Sequence, residues 1–264
     1  MILTADSTQA LQTQRRKTGN GWHTTFIGEN RMTRDPGAPE PDRATLFPMA
    51  FLVEKVPGAV VQPHFHRADQ YQVVVSGGGR LGRHALDGVE VHYTDAYSAY
   101  GPIVAADDGI AWFTLRNAWD PGARYMTESR AELRVARLEN YQHREAVAGA
   151  IHPLSDAALL ALDEVMCVPV LGPGEDGLAT WHCTLPPSAE LRGPDPTTGG
   201  GQFWIVLAGS LTMGGSGLLP PKSCAFVAPE DASLAVHAGG GGAEALCLQF
   251  PHRPWHGAGH GAGH

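Results

Sequence analysis

The sequence is poor in several features that would place it in a familiar class. Lysine and arginine total 19 against 27 aspartates and glutamates, which gives a net charge of −8, so the chain has no basic footprint for nucleic acid or anionic lipid. It contains no apolar run of about 18 residues and opens without the apolar stretch of a secretion signal. We therefore predict a cytoplasmic protein with no nucleic-acid partner and no membrane partner.

Cysteine is also scarce, and its placement excludes common metal and disulfide patterns. The four cysteines are Cys167, Cys183, Cys224 and Cys247. None forms a C-x-x-C pair and all except Cys183 lie inside apolar, strand-like runs, so we expect buried free thiols. The sequence also has no Gly-x-Ser-x-Gly elbow, no phosphate-binding loop and no dinucleotide fingerprint.

The sequence is rich in turn-forming residues and in short apolar runs. Its 264 residues include 33 glycines and 20 prolines, and apolar runs of four to eight residues alternate with turn signals, which is typical of an all-β fold. Between two such regions, the stretches that follow Thr127 and Ser155 have helical spacing, and these two residues are expected N-caps. We predict an N-terminal arm (1–44), a first β domain (45–119), a helical linker (120–165), a second β domain (166–251) and a disordered tail rich in histidine, glycine and alanine (252–264).

The two β regions share an internal repeat. The segment Gln70–Gly77 (QYQVVVSG) matches Gln202–Gly209 (QFWIVLAG), with six residues between glutamine and glycine in both. A Pro-x-Ala pattern precedes each glutamine, at Pro57 and at Pro187, with two more residues in the second copy. Self-similarity of this kind indicates that the chain arose by duplication.

One motif in the first copy points to a known family. It reads Gly58-x5-His64-x-His66-x3-Gln70-x6-Gly77, and it resembles the first motif of the cupin superfamily, which usually has glutamate where Gln70 stands. Two copies in one chain resemble the bicupins. The resemblance covers about residues 45 to 116 and 166 to 250, and it implies two jelly-roll barrels joined by the helical linker.

In cupins the residues of this motif bind a divalent metal ion inside the barrel. The resemblance therefore implies one ion (Fe, Zn, Ni, Cu or Mn) at His64, His66 and Gln70. Residues two apart on a strand point to the same face, so both imidazoles can reach one ion. The alternatives are that the histidines lie on an exposed edge strand, and that Gln70 only hydrogen-bonds a histidine or a bound molecule.

The chain departs from the family pattern at other positions. The stretch that corresponds to the second cupin motif, residues 95–106, contains no histidine, so the usual third histidine ligand is missing. In the second copy His-x-His is replaced by a Gly-Pro-Asp-Pro-Thr-Thr-Gly run, and we expect that barrel to be metal-free. Candidates to complete the first site are His84 and His92, while Tyr97 and Tyr100 are candidate catalytic acids or bases.

These observations leave three hypotheses for function. The first is a metal-dependent oxidoreductase that resembles the bicupin dioxygenases and acts on a small organic substrate in the first barrel. The second is a redox-silent zinc enzyme, an isomerase, cyclase or lyase, and the third is a non-catalytic small-molecule-binding cupin. We favour the first, and we expect a homodimer because exposed sheet edges invite pairing.

Overall fold

The computed structural model describes residues 1–42, 45–138 and 143–252. With 49% strand and 11% helix, it confirms the predicted mainly β fold. Within the described residues no helix is long and apolar enough to cross a membrane. Of the predicted tail, only His252 lies within the described residues, so the expectation for 253–264 falls outside them.

Two antiparallel sheets make up most of the structure. The larger one, sheet I, has the order β12-β9-β7-β10-β4-β3-β2, with β5 on β10 and β8 on β7. Its strands are β2 (Arg15–Thr18), β3 (Gly21–Ile27), β4 (Met49–Lys55), β5 (Val60–Val61), β7 (Gln70–Leu81), β8 (His84–Leu86), β9 (Val89–Thr94), β10 (Ile103–Arg116) and β12 (Glu145–Ile151). A separate two-stranded pair joins β6 (His64–Phe65) to β11 (Arg124–Tyr125).

The smaller sheet, sheet II, has the order β1-β17-β16-β18-β14-β13, with β15 on β18. Its strands are β1 (Ile2–Ala5), β13 (Met166–Leu171), β14 (Ala179–Leu185), β15 (Glu190–Arg192), β16 (Gln202–Met213), β17 (Cys224–Val227) and β18 (Ala235–Gln249). The helices are α1 (Ser7–Thr13), α2 (Met126–Leu138) and α3 (Asp156–Leu160), with a 3-10 turn at Pro196–Thr198. Ser155 caps α3 as predicted, because its hydroxyl accepts from Ala158 N, whereas α2 already begins at Met126, one residue before Thr127.

The two sheets face each other across a shared apolar core. Alternation along β7 sends Tyr71 and Val73 into this core, and alternation along β16 sends Phe203 and Ile205 into it from the other side. The residues between them, such as Gln72 and Trp204, point to the opposite face of their sheet, which we call its distal face. The predicted repeat has a structural counterpart, because Gln70 and Gln202 each begin a strand of 12 residues.

The structure differs from the expected layout in three places. In the described residues neither sheet closes on itself, so the two closed barrels are not confirmed. The segment 120–165 is not helical throughout, because its Glu145–Ile151 stretch pairs with β9 as strand β12. The N-terminal arm contributes β1 to sheet II and β2 and β3 to sheet I. These short or alanine-rich strands carry little periodicity, and long-range pairing decides their conformation.

Candidate functional site

His64 begins the short strand β6, His66 directly follows that strand, and both histidines are buried. Their exposed fractions are 4% and 7%, so they are not a surface pair. The backbone of His64 exchanges hydrogen bonds of 3.1 and 3.0 Å with that of Tyr100, which fixes β6 beside the second-motif stretch. The two imidazole centroids are 5.1 Å apart with the rings nearly perpendicular. The structure thus brings the two predicted ligands together inside the protein.

Each imidazole is oriented by a hydrogen bond from its Nδ1 atom. His64 Nδ1 lies 2.7 Å from the Gln62 carbonyl oxygen, and His66 Nδ1 lies 2.8 Å from Asp120 Oδ1. Because both partners are acceptors, Nδ1 carries the proton in each ring and Nε2 keeps its lone pair. This arrangement, in which an outer acceptor fixes the tautomer, is typical of metal-binding histidines.

Both histidines are neutral near pH 7. Burial, and then the neighbouring His66, lowers the pKa of His64 to about 3. Burial and the Arg116 guanidinium likewise hold the pKa of His66 below its usual range. No proton therefore competes for the Nε2 lone pairs at physiological pH.

Arg116 is a site residue that the sequence analysis missed. It ends β10, directly after Leu115, which lies opposite Tyr71, so it stands opposite Gln70 on the distal face of sheet I. Its exposed fraction is 4%, and its NH2 atom lies 3.0 and 3.3 Å from the two ring nitrogens of His66. Near-equal distances to both nitrogens place the guanidinium over the face of the imidazole, so the in-plane lone pair of Nε2 stays available.

Asp120 balances the charge of Arg116. Its carboxylate lies 3.4 Å from Arg116 NH1 and also accepts from the backbone N–H groups of Arg67 and Gly122, both at 2.8 Å. Burial alone would raise the pKa of Asp120, but Arg116 and His66 hold it well below the usual range. The buried carboxylate is therefore ionised, and it anchors both His66 and Arg116.

Gln70 contacts Arg116 and Tyr100. Its Oε1 atom accepts from Arg116 Nε at 3.2 Å and from NH2 at 2.8 Å, and its Nε2 atom donates to the Tyr100 hydroxyl. The two guanidinium donors settle which end of the amide is oxygen. In this arrangement the amide oxygen faces a cationic side chain, and a direct role of Gln70 in metal binding stays a prediction.

The two candidate catalytic tyrosines lie in different surroundings. Tyr100 is buried against His64, with ring centroids 4.6 Å apart, and burial raises its pKa well above the usual range. It therefore stays protonated, and since its oxygen accepts from Gln70, its own O–H can donate to a bound molecule. Tyr97 instead packs on Phe65, at 5.9 Å, and on α2 through Leu133. The six residues that meet here, His64, His66, Gln70, Tyr100, Arg116 and Asp120, are called the polar cluster below.

Of the two histidines considered as additional ligands, His92 lies beside the polar cluster, with its ring centroid 5.0 Å from that of Tyr100. His92 is buried, but its Nδ1 lies 3.0 Å from Gln72 Oε1 and its Nε2 lies 3.0 Å from Glu145 Oε1, so both ring nitrogens already have partners. His84 is exposed on β8. His92 also lines a narrow pocket of about 20 Å³, enough for one water molecule, together with Gln72, Glu90 and Trp112. Among the described residues, the Trp112 Nε1–H has no hydrogen-bond partner.

The polar cluster contains two nitrogen donors of a kind that can bind a divalent ion. Among the described residues, no three histidine, cysteine, aspartate or glutamate side chains are grouped to hold a metal. His64 and His66 nevertheless supply two neutral, oriented nitrogen donors of the kind that Fe, Zn, Ni, Cu and Mn accept. Any further ligand would have to be water, a bound molecule or Gln70.

Comparison with solved structures identifies the fold. No protein-family profile matches the chain, and no curated protein matches it. A candidate dioxygenase from Nostoc punctiforme aligns with a TM-score of 0.57, 12% identity, and coverage of 94% of this chain and 82% of that one. Oxalate decarboxylase from Bacillus subtilis, a protein with Mn(II) centres, aligns with a TM-score of 0.55, 14% identity, and coverage of 96% and 78%.

A bacterial pirin from Escherichia coli, in complex with nickel(II), aligns with a TM-score of 0.55, 12% identity, and coverage of 95% of this chain and 99% of that one. All three neighbours are cupin-family proteins. This chain therefore has a cupin-like fold. Identities this low show a shared fold and nothing further.

Arg116 could have been found only through strand register, and Asp120 only through its spacing from Arg116. A rule that places Arg116 opposite Gln70 needs the pairing of β10 with β7, which the motif does not contain. Asp120 lies 54 residues from His66, in a stretch that the sequence analysis assigned to the linker. The one sequence signal for Asp120 was its position four residues after Arg116, where two side chains of opposite charge can reach each other.

Proposed function

We propose that this protein is a metal-dependent enzyme that acts on a small organic molecule at the polar cluster. The observation that carries the proposal is the pair of buried, neutral imidazoles whose Nδ1 atoms are both bound to acceptors. His64 and His66 would hold one divalent ion through Nε2. The ion, when bound, would supply Lewis acidity or, if redox-active, one-electron chemistry.

The side chains around the histidines define the substrate class. Arg116 presents its Nε and NH2 donors to the Gln70 oxygen, and this edge of a guanidinium can instead bind a carboxylate through two parallel N–H···O bonds. A carboxylate or enolate of the substrate would replace the Gln70 oxygen at these donors. Tyr100, kept protonated by burial, would donate a proton to the bound molecule. Asp120 would hold His66 and Arg116 in place.

The proposed reaction is oxidation of a small carbonyl-bearing or carboxylate-bearing molecule, in the manner of a dioxygenase. The fold shared with the candidate dioxygenase of Nostoc punctiforme supports this class. A redox-silent zinc enzyme is the alternative that metal identity would distinguish. Homodimerisation through sheet edges, a cytoplasmic location and the predicted domain boundaries stay predictions.

A non-catalytic small-molecule-binding protein is the second candidate. It is favoured by the saturation of Arg116, whose donors are taken up by Gln70, His66 and Asp120. If Arg116 keeps these three partners when a ligand is present, the polar cluster would bind the ligand without turnover. Measured consumption of dioxygen or of substrate separates the two candidates.

Elemental analysis after anaerobic purification tests the proposal. The tail histidines His256, His260 and His264 should first be changed to alanine, so that they cannot add metal. We expect one Fe, Mn, Ni, Cu or Zn per chain, and a loss of most of it in His64→Ala and His66→Ala. His84→Ala, at an exposed histidine, is the matched control and should keep its metal. Equal metal content in all four proteins would contradict the proposal.

A further inference from the structure

Two cysteines face each other in sheet II, far in the fold from the polar cluster. Cys167 on β13 and Cys183 on β14 are direct partners in the antiparallel register, and both are free thiols. Cys183 is fully buried, whereas Cys167 is partly exposed. The pair therefore combines one thiol that solvent can reach with one that it cannot.

The register class of this pair can be derived from a proline two residues away. Pro169 lies opposite Trp181, and it has no N–H to donate to that partner, so this position belongs to the non-hydrogen-bonded class. Pair classes alternate along an antiparallel ladder, so Cys167 and Cys183 are also a non-hydrogen-bonded pair. In this class the Cα atoms are about 4.5 Å apart, within the range that a disulfide spans.

The chemistry of the two thiols differs in a way that suits sequential reaction. Their mutual contact across the strand pair lowers the pKa of Cys167 and raises that of Cys183. The thiolate is the reactive form, so the partly exposed Cys167 is the thiol that an oxidant meets first. Cys183 is then directly opposite the modified sulfur.

We propose that Cys167 and Cys183 form a redox modification site that closes to a cross-strand disulfide when a peroxide oxidises the protein. The Cys167 thiolate attacks the peroxide O–O bond, giving a sulfenic acid and one water after proton uptake. The Cys183 thiol then attacks the Cys167 sulfur, the S–S bond forms and the S–O bond breaks, and a second water leaves. Two thiols and one hydrogen peroxide thus give one disulfide and two waters.

The disulfide would act on the edge of sheet II. β13 is the terminal strand of the sheet, held on one side by β14, and it follows the segment that connects the two sheets. The link would close a loop over residues 168–182 and reduce the freedom of the unfolded chain. Oxidation would therefore tie the connecting segment to sheet II and raise the denaturant concentration at which the protein unfolds.

The remaining cysteines provide controls inside the same protein. Cys224 lies in the shared core between the sheets. Cys247 lies opposite Trp181, diagonal to Cys183, and the distance across such a diagonal is larger than that across a direct pair. Neither is expected to join the disulfide.

The test uses the full chain, reduced and then treated with hydrogen peroxide. The protein is unfolded in an alkylating reagent and its peptides are identified by mass spectrometry. We expect the chain to lose two hydrogen atoms, with Cys167 linked to Cys183 and with the other two cysteines alkylated. Dithiothreitol should reverse the link, and the oxidised chain should unfold at a higher urea midpoint than the reduced chain.

Matched variants decide whether the pair is specific. Cys224→Ala should form the same link, whereas Cys183→Ala should leave Cys167 as a sulfenic or sulfinic acid. Cys167→Ala changes a partly exposed residue, so this variant remains usable even if Cys183→Ala fails to fold. After peroxide treatment, its three remaining thiols should all be alkylatable. A link between Cys183 and Cys247, or an oxygen adduct on Cys167 beside an alkylatable Cys183 in the unchanged chain, would overturn the proposal.

Discussion

The distal faces of the two sheets are built on the same strand pairing and filled with different chemistry. On sheet I the first residue of β7, Gln70, stands across from Arg116, whereas on sheet II the first residue of β16, Gln202, stands across from Gln249. Gln202 Nε2 donates to Gln249 Oε1 at 2.8 Å. The amide–guanidinium pair of one copy is thus an amide–amide pair in the other.

The surroundings of these two pairs also differ, since more polar side chains lie beside the pair of sheet I than beside the pair of sheet II. Beyond Gln70, sheet I places Gln72, His92 and Glu90 on its distal face, beside a small pocket. Beyond Gln202, sheet II places a closed apolar cluster there: Trp204, Val206, Leu211, Met213, Val227 and Val236. One repeat thus buries polar groups, which costs stability unless they are hydrogen-bonded, while the other buries apolar side chains at the equivalent face.

The largest loss of stability is expected for Arg116→Gln, which gives sheet I the glutamine pair found in sheet II. Arg116→Gln would leave the buried Asp120 carboxylate with His66 and two backbone N–H groups but without its cation. Removing one partner of a buried ion pair costs about 3–5 kcal/mol, so the free energy of unfolding should fall by that amount. Urea unfolding measures it. The exposed Arg83→Gln is the control, and a loss below about 1 kcal/mol in Arg116→Gln would show that the pair is not a stabilising contact.

Acid should destabilise the protein through a buried histidine of sheet I. His23 stacks on Phe51 with centroids 4.5 Å apart, and burial, followed by Arg116 and Lys55, lowers its pKa to about 4. Above about pH 6.5 both the folded and the unfolded states carry a neutral imidazole. As the pH falls from about 6.5 to about 4, only the unfolded state takes up the proton, so stability decreases by about 1.4 kcal/mol per pH unit.

The variant His23→Phe tests this assignment. It keeps a ring on Phe51 and removes the titrating group, so the pH dependence of the urea midpoint should become shallower by one proton. His237→Gln, at an exposed histidine of sheet II, should keep the slope of the unchanged chain. An unchanged slope in His23→Phe would assign the acid sensitivity to other groups.

Asp120 should affect metal binding as well as stability, since it is also the buried partner of Arg116. Asp120→Asn keeps the shape but gives His66 a neutral partner, and loss of such an outer partner lowers metal affinity about 10- to 100-fold. Metal titration followed by calorimetry measures the change. Glu244→Gln is the matched control in sheet II, since Glu244 is also buried and lies 2.6 Å from His182. Its metal affinity should not change.

The smallest change in stability is expected for Gln70→Glu. The new carboxylate would meet the Arg116 guanidinium directly, so the free energy of unfolding should change by no more than about 1 kcal/mol. If Gln70 is a ligand, the variant should also bind Fe or Mn more tightly. The same substitution at Gln202 buries a carboxylate opposite a neutral amide, and it should destabilise the protein by several kcal/mol. Equal losses of stability at positions 70 and 202 would show that the two sheets do not differ in how they accommodate a buried carboxylate.

The motif on β6 and β7 predicted the position of the site but not its composition. Periodicity and turn signals were sufficient for the strands β7 and β16, and the Gly-x5-His-x-His frame was sufficient to place His64 beside His66. The orienting acceptors were not predictable in this way, because Gln62 acts through a backbone carbonyl and Asp120 comes from a loop. From the sequence, His92 and His84 were both candidate ligands. In the structure His92 is hydrogen-bonded to Gln72 and Glu145, and His84 is exposed to solvent.

Local chemistry along the chain determined that this protein forms short strands, repeats a β unit and brings two histidines to one face. Alternation, turn residues and the spacing of a motif act within a few residues, so the sequence contains them directly. Tertiary structure decided that β1 joins sheet II, that Glu145–Ile151 is a strand, and that Arg116 lies over His66. Each of these depends on which strands pair and in what register, and pairing is settled by burial of distant segments against one another.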